Sequence, residues 1–125
     1  MRLLFHGTSV ATVCSIVHSD TAGFLPLLAG SATGAIWGDG TYFARDASCS
    51  DPYAGTLPTG QKQMLVAEVA VGRWAVGKQG MKQCPLLPGE QYRRYDSLAN
   101  RETDPTIFAA QHSSQAYPAY LVTYH

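Results

Sequence analysis

Alternation is clearest between Gln63 and Val71, where Leu65, Ala67, Val69 and Val71 share one side and Met64, Val66, Glu68 and Ala70 the other. A period of two over that length predicts a β-strand with a buried face, and its valines suit a pleated surface. Glu68 stands alone among apolar neighbours. Burying an unpaired carboxylate is too costly, so the pattern puts it exposed or paired at a sheet margin. Arg2–His6 is a shorter apolar run closed by Gly7, read as a buried strand. From Val10 the period changes: Val10, Val13, Cys14 and Val17 recur at i, i+3, i+4 and i+7. That is one face of a helix, capped by Thr8 or Ser9 and ending near Ser19.

Asp20 to Trp37, with Pro26 and three glycines, reads as a loop longer than ordinary connections, and therefore as a working or mobile one. Gly40–Ala44 is a short aromatic strand opened by the Gly38-Asp39-Gly40 turn. Asp46 caps a helical turn through Ser50, which Pro52 breaks before Tyr53. Gly77 to Arg94 is irregular. Tyr95–Ala99, Thr106–Gln111 and Ala119–Tyr124 supply further strands, the last two joined by a polar turn at His112–Gln115. Several short strands with one good helix predict a mostly antiparallel α+β fold. The 125 residues suit a single domain, 1–125, with one core.

Charge narrows the partners. Charged residues make up 14% of the chain, below the usual ~25%, and nine basic residues balance nine acidic ones. A non-specific grip on nucleic acid needs a surplus of Lys and Arg, and so does a polybasic membrane anchor. No apolar run approaches the ~20 residues of a membrane span, and the opening apolar stretch is too short for a signal core. These features predict an intracellular chain, cytoplasmic or nuclear, with no membrane partner. Cys14, Cys49 and Cys84 are odd in number and lack C-x-x-C spacing, which predicts reduced, mostly buried thiols and not a disulfide framework or zinc site.

Candidate chemistry is thin when each residue is taken alone. His6, His18, His112 and His125 are scattered and none has a partner at i+4, so no metal is expected. Cys14 falls on the apolar helix face, where core packing accounts for it better than nucleophilic chemistry. Gly38-Asp39-Gly40 precedes a strand and lacks the ending of a phosphate loop. His6-Gly7-Thr8 ends a buried strand in a polar ring and a glycine, a place where a ligand can approach the backbone, although a structural histidine is the better account of the motif taken alone.

Order and spacing change this. Arg2-Leu-Leu-Phe-His6-Gly7-Thr8-Ser9, then Trp37-Gly-Asp-Gly-Thr-Tyr42-Phe43-Ala44 followed by Ser50 and Tyr53, resemble the catalytic domain of the poly(ADP-ribose) polymerase family. Gln63–Gly72 resembles its next core strand. Tyr95-Asp-Ser, Asp104-Pro-Thr-Ile107-Phe and Gln115-Ala-Tyr-Pro-Ala-Tyr-Leu-Val-Thr resemble its closing strands, particularly in mono-ADP-ribosylating members. The resemblance covers essentially the whole chain and implies an ADP-ribosyltransferase fold: two small, mostly antiparallel sheets with few helices and a NAD cleft between them.

The activity implied is that of a pentosyl transferase, with NAD as co-substrate and no metal. By the resemblance, Gly7 holds the nicotinamide amide through its backbone and Ser50 through its hydroxyl. Tyr53 stacks on the ring and Tyr42 forms the opposite wall, flanked by Phe43 and Ala44. His6 holds ribose hydroxyls on the adenosine side, with Thr8 nearby, and the Asp20–Trp37 loop covers the cofactor. Polymerising members carry a glutamate where this chain has Ile107. His6, Tyr42 and Ile107 therefore form the pattern of single-unit transfer, in which an acceptor carboxylate supplies the missing charge. Glu102, five residues before Ile107 in the preceding loop, is the carboxylate weighed as a substitute, against the reading of a solvated loop charge. Ala119 stands where relatives often carry a glutamate.

The implied acceptor is a protein side chain, self-modification included, and nucleic-acid ends fit an open cleft as well. Relatives carry further catalytic-domain sequence before the His6 strand, so 1–125 reads as a minimal form of the domain or as one lacking that upstream segment. A binding module for NAD or ADP-ribose on the same fold, and a pure interaction domain, are the rival readings.

Overall fold

The computed structural model describes residues 1–18, 24 and 36–125. In chain order the elements are β1 (Arg2–His6), α1 (Val10–Val17), β2 (Thr41–Ala44), α2 (Ala47–Ser50), a 3-10 turn (Asp51–Tyr53), β3 (Lys62–Val69), β4 (Trp74–Val76), β5 (Ser97–Ala99), β6 (Ile107–Ala110), a second 3-10 turn (Ser113–Gln115) and β7 (Ala116–Tyr124). The α+β expectation holds, with few helices. All strand pairs are antiparallel except β4 with β5.

The strands follow the order β4-β5-β6-β2-β1-β3-β7 in one ladder, where two separate sheets were expected. Chain length dictates its shape. β3 and β4 lie five strand spacings apart, about 24 Å if the sheet were flat. The link from Val69 to Trp74 stretches at most about 18 Å. The sheet must therefore curl. Its fastening is visible where the Ser97 hydroxyl donates to the Val71 carbonyl at 2.8 Å. Gln115 locks the same corner: its Nε2 donates to the carbonyls of Asp96 (2.7 Å) and Ala70 (3.2 Å). Its Oε1 accepts from the backbone N–H groups of Gln111 (3.2 Å) and His112 (3.1 Å).

Inside the curl lies the core. Leu4, Leu65, Ala67 and Val69 come from the β1/β3 side, and Phe43, Ala99, Phe108 and Ala110 from the β2/β5/β6 side. A smaller cluster of Cys84, Leu98 and Ala109 packs the reverse face, with Tyr42, Met81 and Tyr95 against it.

Local corrections have local causes. In α1, Ser9 is the N-cap, its Oγ accepting from the Thr12 N–H at 3.2 Å, but the buried residues are Val13 and Ile16. Cys14 and Val17 are exposed, because the helix touches the sheet along an i, i+3 line narrower than the stripe read from sequence. Cys49 is exposed too, so two of three thiols are not buried, while burial pushes the Cys84 thiol up to about 11. Asp46 stands at the N-cap of α2 without capping it, its carboxylate being turned toward Arg45 at 3.3 Å. Glu68 is exposed, as expected.

β7 starts at Ala116, three residues earlier than expected, and runs through Pro118. An outermost strand tolerates proline, and the β3–β7 register shifts beside it, between Val66 and Ala67. Tyr117, Tyr120, Leu121 and Val122 of this strand are exposed. The loop expected over Asp20–Trp37 lies outside the described residues except at Phe24, Ile36 and Trp37. No described helix is long and apolar enough to cross a membrane.

Candidate active site

β1 runs beside β3 for its whole length, Arg2 to His6, yet meets β2 at one register pair, Phe5 with Ala44. Beyond that rung the two strands part. His6 spans the opening, with its Nδ1 2.7 Å from the Tyr42 carbonyl oxygen. A carbonyl only accepts, so Nδ1 carries the proton and Nε2 keeps a lone pair. The ring is buried, edge-on to Phe24 at 5.2 Å and tilted against Phe43 at 5.3 Å. Burial holds the His6 pKa below its ordinary value, opposed in part by the bond to Tyr42, and the imidazole is neutral at physiological pH. Phe43, itself fully buried, backs this ring from the core side.

Glycine at position 7 is a packing requirement. A Cβ there would collide with the backbone carbonyl of Ser50 and sit 3.1 Å from the Ala54 nitrogen. Gly55 makes the matching approach, its missing Cβ 2.6 Å from the Val10 nitrogen, and its N–H donates to the Thr8 carbonyl at 2.9 Å. Two glycines thus let the segment 50–55 lie directly along the exit of β1. Gly7's N–H and carbonyl have no backbone partner among the described residues. Ser50, buried on α2, donates its hydroxyl to the Phe5 carbonyl at 3.2 Å and retains lone pairs to accept. Tyr53 ends the following 3-10 turn with its ring 57% exposed.

Tyr42 and Ala44 alternate with Phe43, so they face the opposite side of the sheet from it. The Tyr42 hydroxyl accepts from the Trp37 N–H at 2.8 Å and donates to the Gly38 carbonyl at 2.7 Å. Its pKa is raised, chiefly by burial, and with both bonds made the residue offers a ring face and not an acid. Ile107 pairs with Ala44 and shares the Tyr42 face. Asn100 fixes it there: Oδ1 accepts from the Thr106 and Ile107 N–H groups at 3.1 and 3.2 Å. Glu102 is exposed, its main-chain carbonyl taken by the Trp74 indole N–H at 3.0 Å. The structure thus gathers His6, Gly7, Thr8, Ser50 and Tyr53 at the β1 exit, with Tyr42, Ala44 and Ile107 lining the far side of the parting.

Three contributors went unread in the sequence. Gln115 reaches residues 19 and 45 positions away and Asp51 partners 11 and 73 away, whereas Asn100 acts on Thr106 and Ile107, six and seven residues on. Among the described residues, no group of three His, Cys, Asp or Glu gathers to hold a metal.

A curled α+β fold whose first two strands part beside His6-Gly7-Thr8 sets the class, and comparison supplies its name. The family model for the poly(ADP-ribose) polymerase catalytic domain matches residues 1–125. This chain belongs to that family and has its ADP-ribosyltransferase fold. It is 37% identical over 125 residues to mouse protein mono-ADP-ribosyltransferase PARP10, covering 98% of this chain and 12% of that protein. It is 36% identical to human protein mono-ADP-ribosyltransferase PARP12 (98% and 17%) and 33% identical to human protein mono-ADP-ribosyltransferase PARP14 (98% and 7%). The chain spans under a fifth of the length of each of these relatives.

Proposed function

We propose that this chain is a NAD-dependent mono-ADP-ribosyltransferase, a pentosyl transferase acting as one unit over residues 1–125. The observation that carries the reading is the parting of β1 and β2 after one rung, which leaves the Gly7 N–H and carbonyl unspent beside the Ser50 hydroxyl. A carboxamide presents one acceptor and two N–H donors. The Gly7 N–H meets the first, and the Gly7 carbonyl and Ser50 lone pairs meet the second. Tyr42 and Tyr53 offer aromatic faces on either side for the flat nicotinamide ring. His6 Nε2 is left to accept a ribose hydroxyl, with Thr8 next to it. Phe43 supports the His6 ring from the core side, and Ala44 stands beside Tyr42 on the other face of β2.

In the reaction the bond between ribose C1′ and the nicotinamide nitrogen breaks, and its electron pair neutralises the positive ring. Positive charge develops on the ribose as in glycoside cleavage, and the acceptor oxygen attacks C1′ while its proton leaves to the acceptor's base or solvent. The cleft contributes orientation. Ile107 has no group to bond a ribose hydroxyl or take a proton, so a sugar hydroxyl on an earlier ADP-ribose is not activated and transfer stops at one unit. A protein side chain, on this chain or another, is the acceptor that fits best, in the cytoplasm or nucleus.

The test is incubation with NAD labelled in the adenine, following nicotinamide release and the length of the labelled product. Single units on protein, reduced at least 100-fold by His6→Ala, are expected. Tight NAD binding without nicotinamide release would replace the reading with a binding module, and absence of binding with an interaction domain.

A further inference from the structure

Tyr53 raises a question of support. It is more than half exposed, and among the described residues its side chain makes no ring contact or hydrogen bond. Its place is therefore set by its own backbone turn. That turn closes where the Ala54 N–H donates to the Asp51 carbonyl at 3.1 Å. The same carbonyl accepts from Lys62 Nζ at 2.8 Å, and Lys62 Nζ also reaches Asp51 Oδ1 at 2.9 Å. One ammonium thus grips both the main chain and the side chain of the residue between Ser50 and the Pro52-Tyr53 pair. Tyr124 completes the grip, its hydroxyl donating to Asp51 Oδ1 at 2.6 Å.

Lys62 and Tyr124 are register partners on β3 and β7, so the sheet holds both donors side by side before Asp51 arrives. Lys62 is 26% exposed at its side chain, which strengthens the interaction relative to a fully solvated pair. The Asp51 carboxyl is held below its ordinary range, first by Tyr124 and then by Lys62, and it is therefore ionised.

We infer that Lys62, Tyr124 and Asp51 form a positioning device for the nicotinamide wall, fixing the Ser50–Ala54 turn and through it the ring of Tyr53. The inference rests on the function proposed above. None of the three side chains touches substrate in it. They act through the turn, and their removal weakens ground-state binding of NAD without removing any group from the reacting centre.

Lys62→Met and Tyr124→Phe in the full chain separate this from a simple structural staple. The expected result is a KM for NAD raised about tenfold by the first and about threefold by the second, with kcat within twofold of the parent. Hydrogen exchange at the Ala54 amide should quicken at least tenfold in Lys62→Met while the β6 amides stay protected. A lowered thermal midpoint with KM and Ala54 exchange unchanged would overturn the inference. If the parent releases no nicotinamide, the functional reading falls. The Ala54 exchange then still decides whether the network sets the turn.

Discussion

The corner around Gln115 and the opening around His6 are built from the same materials and used in opposite ways. At the Gln115 corner one side-chain amide uses both of its ends: it joins Gln111, His112, Ala70 and Asp96, and Ser97 adds its bond to Val71. At the opening, backbone pairing of β1 with β2 stops after one rung, and the Gly7 N–H and carbonyl have no backbone partner among the described residues. Along β2 and the turn before it, the buried Thr41 hydroxyl and Trp37 indole N–H have no hydrogen-bond partner among the described residues. Unmet buried groups cost stability, so bonding is concentrated at the Gln115 end and sparser at the other.

The comparison breaks most sharply at Gln115. Gln115→Ala strands two carbonyls and two N–H groups, each costing roughly 1–3 kcal/mol where buried, of which partial hydration recovers some. A loss of about 2–4 kcal/mol is expected in urea unfolding, with NAD affinity little changed in the fraction that remains folded. Gly7→Ala should do the reverse. The new Cβ meets the Ser50 carbonyl, and segment 50–55 must retreat, costing about 1–3 kcal/mol as overpacking does. Nicotinamide release should fall at least 100-fold, far beyond what that instability explains. Comparable losses of stability and activity in both variants would erase the distinction between the two ends.

The gentlest probe is pH. The folded pKa of His6 lies below its unfolded value of 6.5, so the unfolded chain binds the extra proton first as acid is added. The contribution is complete above pH 6.5 and is lost as pH falls from there toward the folded pKa. The thermal midpoint should drop between pH 7 and 5 more steeply in the parent than in His6→Gln. Asp51 does not confuse the reading, because its depressed carboxyl favours the fold above its ordinary 3.8 and is lost only at lower pH. Parallel profiles would show that the His6 ring takes up its proton as readily in the folded chain as in the unfolded one.

Legibility in the sequence followed range. The apolar run of β1 and the alternation of β3 are local, and both strands stand where the pattern put them. Helix α1 was also legible, but its buried line was not: four apolar positions fitted a stripe, and packing used Val13 with Ile16, which the stripe omitted. Three-residue β4 gives no period to read, and it exists because β5 pairs with it in parallel. Pro118 looked like a strand boundary because only the finished sheet reveals that its strand is outermost. Around the site, His6, Gly7, Tyr42 and Ser50 could be named from motif order, whereas the grip on Asp51 comes from partners 11 and 73 residues away. The curl, too, follows from strand order and link length together, and strand order is not a local property.

Pro118 and the register shift beside it have a further consequence, for encounters between copies. A nine-residue outer strand bearing exposed Tyr117, Tyr120, Leu121 and Val122 would ordinarily be a template on which another strand could dock. Here one residue of that strand has no N–H to give, and the neighbouring irregularity interrupts the even spacing a docking strand would need. Pro118 is thus also a guard on the longest open strand edge among the described residues, limiting self-association through backbone pairing.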